Sequence, residues 1–173
     1  MYFLPFLLYD TGMTNKKYAS PMDAALTYLT ARMRTRKETE KKLLSLGYSE
    51  EETEATLLRL AELGLVNDSF FAEEFVRTRT AAARTSRAAL KYQLARYQTD
   101  AEAAEAALAS VSPEQELASA RAEAEKAWRQ KQALPARERR QKVLMKLCRK
   151  GYDMDTALAV CRELAGKEEE ADD

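Results

Sequence analysis

One pattern of residues occurs three times in this chain and constrains its fold more than any other feature. A leucine stands four residues before a turn, in the segments Leu43 to Gly47, Leu94 to Gln98 and Leu147 to Gly151, so the leucines are 51 and then 53 residues apart. Units of this size bury little apolar surface alone, so neighbouring units must pack on one another. The sequence therefore predicts units in series. The middle unit has Gln98 where the others have glycine, which costs it the preferred left-handed helix end.

Each unit is predicted to contain three helices, which makes nine in the chain. Ile is absent and 32% of the residues are charged, a composition that favours helices over buried strands. Capping residues and prolines indicate helix starts at Ser20-Pro21, Thr35, Ser49, Asp68, Thr85 or Ser86, Thr99, Ser112-Pro113, Pro135 and Asp153. The predicted fold class is all-α, with three tandem three-helix repeats stacked into an elongated, curved array.

The unit boundaries follow from these helix starts. We expect an apolar N-terminal tail over 1–20, repeats over 21–67, 68–111 and 112–166, and an acidic tail over 167–173. The apolar run MYFLPFLLY is shorter than the roughly 20 residues that cross a membrane. It also lacks the basic start of a secretory signal. We therefore predict a packed or frayed tail and no membrane partner.

The composition argues against an enzyme. The chain has no histidine, which removes the commonest general base at neutral pH, and it has no glycine-rich phosphate loop. Its two cysteines, Cys148 and Cys161, are too few for a disulfide framework or a four-ligand zinc site. Cys161 aligns with leucines of the other units, so we predict a core residue. The sequence predicts a non-catalytic, cytoplasmic monomer without metal or cofactor.

Apolar residues at helical spacing predict the core. In the fourth helix these are Phe71, Phe75 and Val76, spaced as a buried stripe. Asp68 precedes them and is interpreted first as the helix cap, because its carboxylate can accept backbone N–H groups at the positive helix end. These residues are thus assigned to the fold rather than to binding.

The charged residues are sorted by helix, although Lys plus Arg and Asp plus Glu both number 28. Second helices are basic, and third helices begin with acids. In the middle unit the candidate binding residues come from a run without acids, Arg77, Arg79, Arg84, Arg87, Lys91 and Arg96. In the last unit they are Arg139, Arg140, Lys142, Lys146 and Arg149. Stacked units would join them into a discontinuous basic face for a protein or nucleic-acid partner.

Two interpretations of this face remain open from the residues alone. A solvated helix surface normally mixes both signs, so the run of cations favours binding. Tyr92 and Tyr97 lie within it and would be available to stack on bases, but their spacing of five residues is equally consistent with packing. The stretch from Lys126 to Lys150 suits a helix that faces nucleic acid as well as one that faces a protein.

The segment from Leu65 to Arg79 resembles a motif of the RecX family, the regulatory proteins of the RecA recombinase. The motif is carried by Leu65, Asp68, Phe71, Ala72, Phe75, Val76 and Arg79. The resemblance covers about Ala24 to Leu164 and becomes more diffuse downstream. The chain departs from the family at 81–84, where a glycine is usual, and at Thr39, where a hydrophobic residue is usual.

The resemblance implies a protein that binds the RecA recombinase filament on single-stranded DNA and inhibits its ATPase and strand exchange. Such a protein would modulate recombination, DNA repair and the SOS response. The predicted basic face would also be able to contact single- or double-stranded DNA directly. The alternative is a non-enzymatic nucleic-acid-binding protein whose units act as helix-turn-helix modules. A third hypothesis is a helical-repeat adaptor with an unrelated protein partner.

Overall fold

The computed structural model describes residues 18–82 and 85–172, which form nine α-helices and no strand. The helices are α1 (Pro21–Leu29), α2 (Arg36–Ser45), α3 (Glu50–Glu62), α4 (Asp68–Ala82), α5 (Arg87–Arg96), α6 (Ala101–Ala109), α7 (Pro113–Arg129), α8 (Ala136–Arg149) and α9 (Met154–Asp172). The all-α fold class is confirmed. Most of the predicted apolar tail, residues 1–17, lies outside the described residues. The predicted acidic tail continues the backbone of α9 as far as Asp172.

Most helices begin where their capping residues predict. Complete capping boxes open three helices, with the cap residues Thr35, Ser49 and Ser112. In each box the cap oxygen accepts a backbone N–H three residues on, and the Glu or Gln there bonds back to the cap N–H. Single side-chain caps at other predicted starts are supplied by Ser20, Ser86 and Asp153. Local hydrogen bonding therefore fixes these boundaries.

Two predicted caps are wrong. The cap of α6 is Asp100 rather than Thr99, because the Asp100 carboxylate accepts the backbone N–H of the third residue of the helix at 3.0 Å. The cap of α4 is Asn67, whose Oδ1 accepts the N–H of Phe70 at 3.0 Å. Asp68 is thereby the first residue of α4, and its carboxylate is directed elsewhere.

The core consists of three apolar clusters, one in each successive group of three helices. The repeated leucines Leu43, Leu94 and Leu147 are fully buried at their centres, where each contributes about 1.5–3 kcal/mol by leaving water. Cys161 is also fully buried, which confirms its prediction as a core residue. The sequence repeat is thus a repeat of core positions.

Gln98 adopts the conformation that glycine adopts in the other units. Its φ is +53°, beside +83° at Gly47 and +85° at Gly151, and it is the one non-glycine residue with positive φ among the described residues. The left-handed conformation costs an L-residue about 1–2 kcal/mol. The prediction that the middle unit loses its left-handed helix end is therefore wrong, because Gln98 adopts that conformation at a conformational cost.

Replacing Gln98 with glycine should stabilise the protein. Relief of the left-handed strain, offset by the greater freedom of glycine in the unfolded chain, predicts a gain of about 0.5–1 kcal/mol. Urea unfolding followed by circular dichroism measures it. Gln93→Gly, inside α5, is the control and should lower the free energy of unfolding by about 1 kcal/mol. Changes of the same sign in both variants would contradict the assignment.

Candidate binding surface

The basic second helices α2, α5 and α8 are joined end to end by two equivalent contacts. The Thr35 hydroxyl at the start of α2 donates to the carbonyl oxygen of Tyr97 at the end of α5, at 2.8 Å. The Ser86 hydroxyl at the start of α5 donates to the carbonyl oxygen of Lys150 at the end of α8, at 2.7 Å. Thr35 and Ser86 are fully buried. The donors are 51 residues apart and the acceptors 53, so each contact repeats with the sequence.

A carboxylate completes each of these contacts. The backbone N–H of Arg36 donates to Asp68 Oδ1 at 2.8 Å, and that of Arg87 donates to Glu116 Oε1 at 2.9 Å. Each carboxylate comes from the first helix of the next unit and lies at the positive end of a second helix, where negative charge is stabilising. The second helices of successive units are therefore held in one fixed series.

The Asp68 side chain binds two other helices, although the surrounding sequence predicts only a cap for its own helix. Its second oxygen, Oδ2, accepts the backbone N–H of Asp100 at 2.9 Å, so one carboxylate binds the starts of α2 and α6. Both partners are 32 residues away along the chain, and no local pattern identifies them. Asp68, which the sequence predicts to cap α4, therefore connects the first and second units through hydrogen bonds to both.

The middle-unit cations do not form one face. Lys91 forms an ion pair with Glu105 of α6, which lowers the pKa of Glu105, and Arg87 lies one turn earlier on the same flank of α5. Arg96 follows Lys91 by five residues, which turns its side chain by about 140° around the helix. The acid-free run is thus divided between two flanks.

The arginines of α4 also separate. Arg77 forms an ion pair with Glu74 of its own helix. Arg79 instead lines a groove between the first two units, together with Arg96 from α5. Arg84 lies outside the described residues. The structure therefore brings Arg79 and Arg96 together, although 17 positions separate them in the sequence.

The cations of α8 have several surroundings. Arg139 is only 8% exposed, and its guanidinium lies over the Trp128 ring at 5.1 Å from the centroid, so it contributes to packing rather than to the exposed surface. Lys146 and Lys150 bind the two oxygens of the buried Glu123, at 2.8 and 3.0 Å. The stretch from Lys126 to Lys150 contains a single acid, Glu138. The acid that pairs with Lys146 and Lys150 comes instead from α7.

The remaining cations of α8 lie at the surface. Lys142 pairs with Glu138 one turn earlier, at 2.7 Å. Arg140 and Arg149 are exposed. Within the described part of the chain, the candidate arginines that are exposed and make no ion pair with a described residue are Arg79, Arg87, Arg96, Arg140 and Arg149. These guanidiniums are the groups available to an anionic partner.

Glu123 links this region to the stability of the last unit. Its burial by itself raises the pKa, but the hydrogen bonds and charges of Lys146 and Lys150 outweigh burial and hold the pKa of Glu123 below its ordinary value. The ion pairs of Glu123 therefore stabilise the folded protein fully above the ordinary glutamate pKa of about 4.3. This stabilisation is lost as the pH falls through the lower pKa of the folded state.

Replacing Glu123 with glutamine should remove this part of the pH dependence. Urea unfolding between neutral and acidic pH should show the wild type losing its advantage over Glu123→Gln as the carboxylate becomes protonated. The exposed Glu125, on the same helix, provides the matched control Glu125→Gln. A constant difference between wild type and Glu123→Gln across the pH range would contradict the role of the ion pairs.

Aromatic rings form the floor of the groove between the first two units. Phe71 is buried, whereas Phe75 is half-buried at the edge of its cluster, so the prediction of a core residue holds only in part for Phe75. Both rings meet Tyr97 edge-on, with centroids 5.5 and 5.4 Å apart. Tyr97 is therefore packed, while Tyr92 is 67% exposed.

Other kinds of site find less support in the described residues. There, no group of three or more Cys, Asp or Glu side chains is placed to hold a metal ion. Burial raises the pKa of the Cys161 thiol, which disfavours the reactive thiolate. None of the described helices combines the length and apolarity that a membrane crossing requires.

Comparison with known families decides the assignment. Family models described as the first, second and third three-helix domains of RecX match residues 22–60, 67–108 and 114–161. The chain belongs to the RecX family. The resemblance noted in the motif from Leu65 to Arg79 is thereby confirmed, and the three matched domains follow the three groups of helices.

Individual RecX proteins agree over most of the chain. Regulatory protein RecX of Mycobacterium sp. (strain JLS) is 36% identical over 156 residues, which cover 83% of this chain and 81% of that protein. Regulatory protein RecX of Thermobifida fusca (strain YX) is 32% identical over 146 residues, with 84% and 79% covered. The crystal structure of RecX from Lactobacillus salivarius superposes with a TM-score of 0.78 at 30% identity, covering 84% of this chain and 94% of that one.

Proposed function

We propose that this RecX family member binds the RecA recombinase filament on single-stranded DNA and inhibits its ATPase and strand exchange. The observation that carries the proposal is the end-to-end series of basic second helices, held by the Thr35 and Ser86 contacts. Because the net charge is zero, attraction to a partner depends on where the cations lie. A series repeated along the chain suits a partner that itself repeats, as a filament does.

The protein acts by binding rather than by catalysis. Its relatives are named regulatory proteins, and it has no histidine to serve as a general base. We propose that it works as a cytoplasmic monomer without metal or cofactor, and that inhibition in the cell modulates recombination, DNA repair and the SOS response.

The ATPase of RecA on single-stranded DNA tests the proposal. Titration of the protein should lower the rate at fewer copies than RecA protomers, since one bound molecule contacts more than one protomer. Added salt should weaken the effect because exposed charges are screened. An unchanged rate at excess protein would refute the proposed function.

Direct binding of nucleic acid is a second candidate, favoured by the exposed Arg140 and Arg149 on α8. A plain DNA binder inhibits only by masking sites, in proportion to free DNA, and its affinity falls steeply with salt. Comparing binding to the filament with binding to bare DNA separates the two. Equal binding to both, with inhibition that disappears when DNA is in excess, would favour this alternative.

A further inference from the structure

The groove between the first two units adds apolar and aromatic side chains to the exposed cations described above. It has two basins that share Arg79 and Tyr97. The first, of about 230 Å³, is lined mainly by apolar groups, among them Met33 and Phe75. The second, of about 520 Å³, also contains Arg96. Two adjoining basins of different character suit an extended ligand that crosses from one to the other.

The charged side chains of the groove favour a negatively charged ligand. The carboxylates of the groove already have cationic partners, since Glu38 binds Arg32 at 2.5 Å and Glu74 binds Arg77. Arg79 and Arg96 are exposed and have no ion pair with a described residue. A ligand that carries carboxylates would therefore find two guanidiniums available in a site where the resident acids are neutralised.

The aromatic rings are covered in a way that disfavours nucleobases. The Arg32 guanidinium lies over the Tyr97 ring, 5.4 Å from its centroid, and that of Arg79 lies over Phe75 at 5.2 Å. A base would have to displace a guanidinium to stack there. A carboxylate can instead bind Arg79 without displacing it, because a guanidinium that contacts a ring still has N–H donors along its edge.

We propose that this groove binds an extended peptide segment of a partner protein, with one large apolar side chain flanked by acidic residues. The first basin is smaller than the 300–1,000 Å³ typical of small-molecule pockets and accepts the apolar side chain. Arg79 and Arg96 bind the flanking carboxylates. The proposal is independent of the recombinase, and its test contains none.

A labelled peptide provides the test. Fluorescence anisotropy would compare the peptide Gly-Ser-Asp-Phe-Asp-Ser-Gly-Ser with a version carrying Asn in place of both acids, and with a twelve-nucleotide oligothymidylate. We expect the acidic peptide to bind at least about tenfold more tightly than the Asn peptide. Backbone N–H signals near Phe75 and Tyr97 should shift in the NMR spectrum, while those of the last unit should not.

A matched pair of variants completes the test. Arg79→Gln/Arg96→Gln should weaken binding of the acidic peptide about tenfold, whereas Arg129→Gln/Arg162→Gln, which removes two exposed arginines of α7 and α9, should not. Equal affinity for the Asn peptide, shifts outside the groove, or competition by the oligothymidylate at the same residues would overturn the proposal. The NMR mapping uses the wild-type protein, so it stands even if a variant fails to fold.

Discussion

Reversing Arg87 and Arg149 to glutamate should weaken inhibition of the RecA ATPase by about tenfold or more, with helix content unchanged. Both side chains are exposed and have no ion pair within the described residues, and they flank the contact between Ser86 and Lys150. Each reversal removes an attractive interaction and adds a repulsive one, at about 1.4 kcal/mol for every factor of ten in affinity. ATPase rates across a titration of each protein measure the effect.

Arg129→Glu/Arg162→Glu is the control for charge alone. It makes the same change in net charge at exposed arginines that lie on α7 and α9, outside the second helices. It should inhibit like the wild type. If both double variants lose inhibition equally, net charge rather than the proposed surface determines binding. Full inhibition by Arg87→Glu/Arg149→Glu would show that the surface around these two arginines does not bind the RecA filament.

Replacing Gly151 with alanine should lower the free energy of unfolding by about 2–4 kcal/mol. The backbone φ is +85°, and a Cβ at this position would lie 2.7 Å from the Ser86 hydroxyl. That hydroxyl both caps α5 and binds the Lys150 carbonyl, so its displacement adds a lost cap and a lost buried hydrogen bond to the backbone strain. Urea unfolding gives the free energy.

Gly64→Ala isolates the backbone contribution. Gly64 has a φ of +69°, and a Cβ there would meet no atom within 4 Å. Strain alone predicts a loss of about 1–2 kcal/mol. The difference between the two alanine variants therefore measures the contact between the second and third units. Equal losses would mean that the Ser86 hydroxyl contributes nothing to stability.

Much of the fold could be predicted because it depends on local chemistry. Capping residues such as Thr35 and Ser49 satisfy backbone N–H groups within their own first turn, so their effect is visible in four consecutive residues. The repeated leucines identify the core for a similar reason, since helical period determines which side is buried. The features that could not be predicted depend on residues far apart in the sequence. Asp68 is used by backbone groups 32 residues away, and no window of sequence contains them.

The candidate site was less predictable than the fold. A charge run shows which residues are cationic but not which acids approach them, and the partner of Lys146 comes from another helix at Glu123. Arg139 could not be distinguished from its exposed neighbours without the position of Trp128. The division between Lys91 and Arg96, by contrast, follows from the helical period and was available from their spacing.

The series of second helices also has a defined last member. Thr35 and Ser86 supply the hydroxyls that connect one unit to the next, but the corresponding position before α8 is Pro135, which has neither a hydroxyl nor a backbone N–H to donate. A fourth unit added after the third would therefore receive no hydrogen bond equivalent to those of Thr35 and Ser86. The number of units that this hydroxyl contact can join is therefore limited by one residue, Pro135.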